Sequence, residues 1–256
     1  MMEKRAQKAH KAPKNSDVFE FEAIGHVRSP FKDKFGIPRQ PGLVSQAKGV
    51  IKIHSDPDLK TALRSLEEFS HLWIVFVFHE HGGRNWKPSI RPPRLGGARK
   101  VGVLASRSPH RPNPIGLSAV TLEKVDFDAV GGPEIHVGGL DLLDGTPVLD
   151  IKPYIPYADS IPEANAGWAS EPIARTPVKF SEEAEAEILK RDPSGEKNLR
   201  ALIIEVLELD PRPAFKKRQA PTTDPSTWGT RYGFDLLGSD VKYEIREGHF
   251  LVYTLL

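Results

Sequence analysis

HLWIVFVF spans residues 71–78. After His71 every side chain is apolar, and β-branched and aromatic types dominate. Ser70 precedes the run and HEHGG (79–83) follows it. A short unbroken apolar run between polar punctuation reads as a strand buried on both faces. Similar segments lie on either side. FEFEAIGHV (19–27) and GVIKIH (49–54) come before it; VGVLAS (101–106), LSAVTLEKV (117–125), EIHVGGL (134–140) and VLDIKPY (148–154) come after. Together they predict about seven strands, some separated by turn signals such as Gly131-Gly132-Pro133 and Asp144-Gly145. One helix interrupts them, with Asp56 as cap, Pro57 in its first turn and Leu59, Leu63 and Leu66 at helical spacing. Many short strands with one helix predict a mainly β sandwich or closed barrel, not a doubly wound sheet. The glycine fingerprint of a dinucleotide-binding turn is absent.

After Tyr157 the pattern changes. ADSIPEANAGWASEPIARTP reads as a loop, which places a boundary between a domain at 17–157 and a second at 158–256. SEEAEAEILKR reads as a helix capped by Ser181, with acids in its first turn. A second helix follows Ser194, where Leu199, Leu202, Ile203, Val206 and Leu207 form a core-facing stripe that ends at Asp210-Pro211. RYGFDLL and VKYEIREGHFLVYTLL read as closing strands. The second domain is therefore α+β.

The chain has 256 residues, 36 Lys and Arg, 34 Asp and Glu, a net charge of +2 and no cysteine. Disulfides and thiolate chemistry are excluded. No apolar run reaches the roughly 20 residues of a membrane helix, and no secretory leader is seen. A cytoplasmic location without membrane contact is the expectation. Residues 1–16 carry Lys4, Arg5, Lys8, Lys11 and Lys14 against Glu3 and read as a disordered basic tail. A second asymmetry is larger. Between Glu80 and Glu123 there is no acid, yet Arg84, Lys87, Arg91, Arg94, Arg99, Lys100, Arg107 and Arg111 fall there. Such a block suggests an anionic partner, most simply the phosphates of a nucleic acid.

Five loop-like stretches carry the polar and restricted residues that sites need. They are IPRQPG (37–42), FHEHGG (78–83), SRSPHRPNPIG (106–116), LLDGTP (142–147) and DPRPAFKKR (210–218). In the third, Pro109, Pro112 and Pro114 stiffen a loop that holds Arg107 and Arg111, as an anion or cofactor clamp would require. In the last, at the end of the second C-terminal helix, Phe215 is flanked by Arg212, Lys216, Lys217 and Arg218, which suits phosphate contact plus stacking on an unpaired base. His79 and His81 lack a third ligand pattern and no cysteine is available, so no metal is expected.

Taken in order, IGHVRSPFKDKFGIPRQPGL, LEEFSHLWIVFVFH, RPPRLGG, VGVLASRSPHRPNPIGLSAV, LDLLDGTPVLDIKPYIPYADS and DPRPAFK resemble the TsaA-like (TrmO) tRNA methyltransferases, from about Ile24 to the C-terminus. The resemblance implies a small closed β-barrel that binds S-adenosylmethionine, a separate C-terminal domain and a homodimer. It implies methylation of the N6 amine of threonylcarbamoyladenosine beside the anticodon, with the tRNA anticodon stem-loop as partner. It places Arg39, Gln40, Pro41, His79, Glu80, Arg107, Leu117, Asp141, Asp144, Gly145 and Thr146 around the cofactor, with Glu80 where relatives carry Gln. It places Asp210, Arg212, Phe215 and Lys216 in the catalytic set, with Phe215 where some relatives carry Tyr and Lys216 where some carry Arg. Arg212 or Lys216 would hold the carboxylate of the modified base; Glu80, His110 and Asp210 are the candidate bases. A non-catalytic barrel that binds RNA, or a methyltransferase for another acceptor, would share the cationic segments.

Overall fold

The structure is a computed structural model that describes residues 18–81 and 85–256. The basic tail at 1–16 and Arg84 lie outside the described residues. Strands β1 (Gly25–Arg28), β2 (Gly49–Ile53), β3 (His71–Val77), β6 (Ile115–Asp126), β7 (Glu134–Gly138) and β8 (Pro147–Pro153) close into a barrel in the order β1-β2-β7-β6-β3-β8. Helix α1 (Pro57–Ala62) follows β2, capped by the Asp56 carboxylate, which accepts from the backbone N–H groups of Asp58 and Leu59. Closure removes the unpaired edges that an open sheet of this size would present.

β3 sits between β6 and β8, paired antiparallel to both. Leu72, Ile74 and Phe76 point inward and are almost fully buried, with Ile51, Ile53, Val120, Ile135, Val137 and Val148 around them. The sequence predicts burial on both faces; the structure buries one. Trp73, Val75 and Val77 point outward and are half-buried, Trp73 against Tyr154 at 5.5 Å. Two other expectations also change. FEFEAIGHV contributes only its last three residues, 25–27, to β1, and Phe19 and Phe21 are exposed. VGVLAS contributes no barrel strand. Its first residues form β5 (Val101–Gly102), paired with β4 (Ser89–Ile90) in a separate ribbon, and a 3-10 turn follows at Val103–Ala105. The barrel thus has six strands, and short apolar runs alone do not separate a barrel strand from a covered turn.

After α2 (Pro156–Asp159) the chain crosses to a second core. Strands β9 (Val178–Phe180), β10 (Arg231–Leu236), β11 (Ser239–Arg246) and β12 (His249–Leu255) form a sheet in the order β10-β11-β12-β9. α3 (Glu182–Arg191) and α4 (Leu199–Glu208) belong to the same domain. Ser181 caps α3 by accepting from the Ala184 N–H at 3.1 Å. Leu199, Leu202, Ile203, Val206 and Leu207 are all buried, as their spacing predicts. DPRPAFKKR does not extend α4. Asp210 takes a left-handed backbone (φ 49°), and the chain restarts as α5 (Ala214–Gln219) behind Pro211 and Pro213. Proline cannot continue a helix interior but suits its start. Among the described residues, no helix is long and apolar enough to cross a membrane.

The two cores share one segment. The loop from Ser29 to Lys48 leaves the barrel after β1 and returns at β2, but Phe31, Val44 and Ala47 are buried among Leu202, Val206, Leu236 and Phe250 of the second core. Glu205 of α4 accepts from Ser45 Oγ at 2.8 Å and from the Gln46 backbone N–H at 3.1 Å. Gly36 lies so close to Phe234 that a Cβ there would sit 2.8 Å from the ring.

Gly116 gives a direct test of barrel packing. A Cβ built on it would lie 2.1 Å from Cζ of Phe76, opposite it on β3. Gly116→Ala is expected to lower stability by about 1–3 kcal/mol through overpacking. A thermal melt equal to wild type would show that the barrel can relax around it.

Candidate functional site

A cleft of 1740 Å³ opens between the barrel rim and the second domain. Small-molecule sites usually hold about 300–1,000 Å³, so this volume suits a cofactor together with part of a second substrate. Its walls come from IPRQPG, residues 78–81, SRSPHRPNPIG and LLDGTP, with Pro211 and Lys217 from the fifth stretch.

The proline-stiffened loop is tied down from several sides. Arg111 donates to the carbonyls of Ser106 (3.0 Å) and Ser108 (3.5 Å), so this arginine orders the loop itself. Ser106 Oγ donates to the Val103 carbonyl at 2.7 Å, and the Lys87 N–H donates to the carbonyl of His110 at 3.0 Å. Trp168, from the segment joining the domains, donates to the Ala105 carbonyl at 3.0 Å. Arg107 is left to face the cleft, where it donates to Oε1 of Gln40.

Asp141 lies beside it. The carboxylate accepts from Ser118 Oγ at 2.6 Å on the adjacent wall. Burial pushes its pKa up to about 6, and the Ser118 hydrogen bond and the Arg107 charge pull it only part of the way back. Leu117, half-exposed, supplies an apolar patch next to them. Thr146 lines the cleft from a turn closed by Thr146 Oγ1 donating to the Leu143 carbonyl at 2.7 Å. Asp144 and Gly145 stand behind this wall, outside the lining. Asp144 accepts from the Ser29 N–H at 2.9 Å and pairs with Lys32 at 2.6 Å, while the Gly145 N–H donates to the Val27 carbonyl at 2.8 Å. Both fasten the turn to the end of β1.

His79 and Glu80 line the opposite side. Glu80 pairs with Lys34 at 3.1 Å, and that hydrogen bond holds its pKa below the usual carboxylate range. His81 and His110 meet edge-to-face with centroids 5.2 Å apart. Burial lowers the pKa of both, and the Lys34 charge helps for His81 as the Lys87 charge does for His110. Both rings are therefore neutral at physiological pH. Among the described residues, no group of three or more His, Cys, Asp or Glu could hold a metal ion.

The DPRPAFKKR residues divide. Arg212 is 4% exposed. Its Nε and Nη2 grip the two oxygens of Asp210 at 2.7 and 2.8 Å, its Nη1 donates to the Ala220 carbonyl at 2.7 Å, and its guanidinium lies 5.3 and 5.2 Å from the rings of Tyr232 and Phe250. This guanidinium ties Asp210, ahead of α5, to Ala220 at the end of α5, and Arg212 does not line the cleft. Phe215 is half-exposed beneath the Lys216 ammonium at 5.5 Å, and neither lines the cleft. Lys217 does, 3.6 Å from Asp210. Phe215 and Lys217 point in nearly opposite directions because successive helical residues turn by about 100°. The sequence groups Lys217 with the cations around Phe215 and not with the catalytic set; its opposite phase to Phe215 separates the two once 214–219 is read as a helix of its own. Arg39 reaches from the barrel side to the carbonyl of Arg212 at 3.5 Å.

The family comparisons cover nearly the whole chain. The tRNA-methyltransferase O N-terminal domain model matches residues 26–160, and the TrmO C-terminal domain model matches residues 173–256. The chain belongs to the TrmO family. The TrmO crystal structure from Pseudomonas aeruginosa superposes with a TM-score of 0.75 at 34% identity, covering 95% of this chain and 99% of that one. The tRNA (adenine(37)-N6)-methyltransferase of Escherichia coli K12 is 45% identical over 243 residues, 93% of this chain and 97% of its own. The human protein of the same name is 47% identical over 143 residues, 54% of this chain and 31% of its own. The closed barrel with a C-terminal sheet-and-helix domain is thus the TrmO fold.

The raised Asp141 pKa has a signed consequence. The folded state favours its protonated form, so ionisation costs stability as pH rises from the unfolded value near 4 through about 6. Asp141→Asn, which keeps an acceptor for Ser118, is expected to raise the melting temperature at pH 7.5 more than at pH 4.5. Equal shifts at both pH values would show that Asp141 ionises freely.

Proposed function

We propose that this protein transfers the methyl group of S-adenosylmethionine to the N6 amine of threonylcarbamoyladenosine next to the anticodon of tRNA. The observation that carries the reading is a cleft that brings the stiff Arg107 loop, the buried Asp141 and Lys217 of α5 to one space in a chain of the TrmO family.

The residues present fit the donor. Arg107 suits a carboxylate, the buried Asp141 suits a positive charge or a hydroxyl, and Leu117 suits the face of a base. Gln40, Pro41, His79 and Thr146 complete the cofactor side, with Arg39 at its border and Glu80 paired with Lys34. When bound, S-adenosylmethionine supplies an electrophilic methyl group on a sulfonium. The chain's own work is orientation. The proline-fixed loop holds Arg107 without reordering, and the cleft walls align the acceptor amine, for which effective molarity contributes up to about 7–11 kcal/mol. The exposed cations Lys87, Arg91, Arg94 and Lys100 along the cleft suit RNA phosphates, and Phe215 with Lys216 offers an outward stacking face for an unpaired base. In this reading residues 17–157 hold the cofactor and 158–256 contact the RNA. The protein works in the cytoplasm as a homodimer.

The test is label transfer from methyl-labelled S-adenosylmethionine to two tRNA pools, one with threonylcarbamoyladenosine and one without, followed by nucleoside mass spectrometry. Label on that nucleoside alone is expected. Label elsewhere, or cofactor binding without transfer, would overturn the acceptor; no cofactor binding would leave a non-catalytic RNA-binding barrel. Arg107→Ala is expected to weaken cofactor binding by about tenfold or more while RNA affinity changes less. The reverse ranking in paired titrations would move Arg107 to the RNA side.

A further inference from the structure

We propose that Arg39 and Lys217 form an anion-binding subsite where α5 meets the barrel-side loop, and that its occupant is the carboxylate of the acceptor's threonyl group. The identity of the occupant rests on the reaction proposed above.

The argument starts from an imbalance of charge. Three cations, Arg39, Arg212 and Lys217, gather around one carboxylate, Asp210. Arg212 takes both oxygens of that carboxylate. Lys217 is left at 3.6 Å, beyond a good hydrogen bond, and Arg39 reaches only a backbone carbonyl at 3.5 Å. The Asp210 charge acts on both Arg39 and Lys217 and raises the pKa of each. Glu80, Asp141 and Glu171 also line the cleft, but Glu80 is paired with Lys34, and Asp141 is bonded to Ser118 and lies beside Arg107.

Desolvation lowers the pKa of both Arg39 and Lys217, although Arg39 keeps an open face toward the cleft. Desolvated cations in excess over their counter-charges are costly, and an incoming anion relieves that cost. Position decides which anion. Lys87, Arg91, Arg94 and Lys100 are exposed and can meet phosphates on the outside of an RNA. Arg39 and Lys217 lie within the cleft shared with Gln40 and Arg107, so they suit a small anionic group delivered beside the reacting amine. One cation comes from each domain, so the subsite exists only when the two are docked. Asp210 acts as a positioning residue here, anchored by Arg212 and facing Lys217.

The test uses the full chain and anticodon stem-loops whose threonylcarbamoyladenosine carries either the free acid or the corresponding amide. Equilibrium binding of each RNA, kcat/KM for methyl transfer and the cofactor Kd are measured for wild type, Lys217→Gln and Lys217→Arg. Wild type is expected to prefer the acid over the amide by about 10- to 100-fold. Lys217→Gln should erase that preference, Lys217→Arg should keep most of it, and neither should change the cofactor Kd. Equal weakening of acid and amide RNAs by Lys217→Gln would assign the subsite to a phosphate and overturn the proposal. A raised cofactor Kd would assign it to the cofactor and also overturn it. The preference is read by binding as well as by turnover. A wild type that prefers the acid yet transfers no methyl would keep the subsite and refute the reaction; equal transfer to both RNAs would do the opposite.

Discussion

The burial of Phe31, Val44 and Ala47 in the second hydrophobic core is the constraint on which the rest of the site depends. The loop that carries them begins and ends in barrel strands, so it cannot leave the second domain without exposing a fully buried Phe and two small apolar neighbours. Removing a buried Phe side chain typically costs about 3–5 kcal/mol, a large share of a protein's net stability. The same loop carries Ile37, Pro38, Arg39, Gln40 and Pro41 into the cleft. Packing far from the chemistry thereby sets where Arg39 stands relative to Asp210 and where Gln40 meets Arg107. α5 returns the contact, since Arg218 donates to the Gly96 carbonyl of the barrel-side domain.

Local pattern made much of the fold legible. The alternation in GVIKIH and the stripe from Leu199 to Leu207 each report a single element's exposure to one core, and both are present as read, as is the turn at Asp144-Gly145. The Ser181 cap was legible for the same reason: a cap is a bond between residues three apart. What failed needed partners distant in sequence. β3 looks buried on both faces because Trp73, Val75 and Val77 are apolar, yet they lie on the outside of a closed barrel. VGVLAS has strand composition, but its neighbour is the short ribbon strand at Ser89. Barrel closure itself was not decided by periodicity, which left a sandwich open; the family resemblance supplied it.

The site was legible in its loops and less so in its individual side chains. Arg107, Asp141, Leu117 and Thr146 line one cleft, whereas Asp144 and Gly145 support its wall from behind. Arg212 carries the type of charge a substrate clamp needs, but its partners Asp210, Ala220, Tyr232 and Phe250 are found only in three dimensions. The stiff cationic stretch between two strands now has a physical account. Its prolines and Arg111 hold the backbone, which leaves Arg107 free to face a ligand. Along the cleft, burial lowers the pKa of His81 and His110 and raises that of Asp141 to about 6, while Glu80 is paired with Lys34.

Barrel and C-terminal domain form one unit through the 29–48 loop, and the cleft is the product of that union. Scanning calorimetry of the full chain tests it most directly. A shared core predicts a single transition, with calorimetric and van't Hoff enthalpies that agree. Two separable transitions, one for each core, would contradict it, because the halves would then fold without the peg that places Arg39 in the cleft.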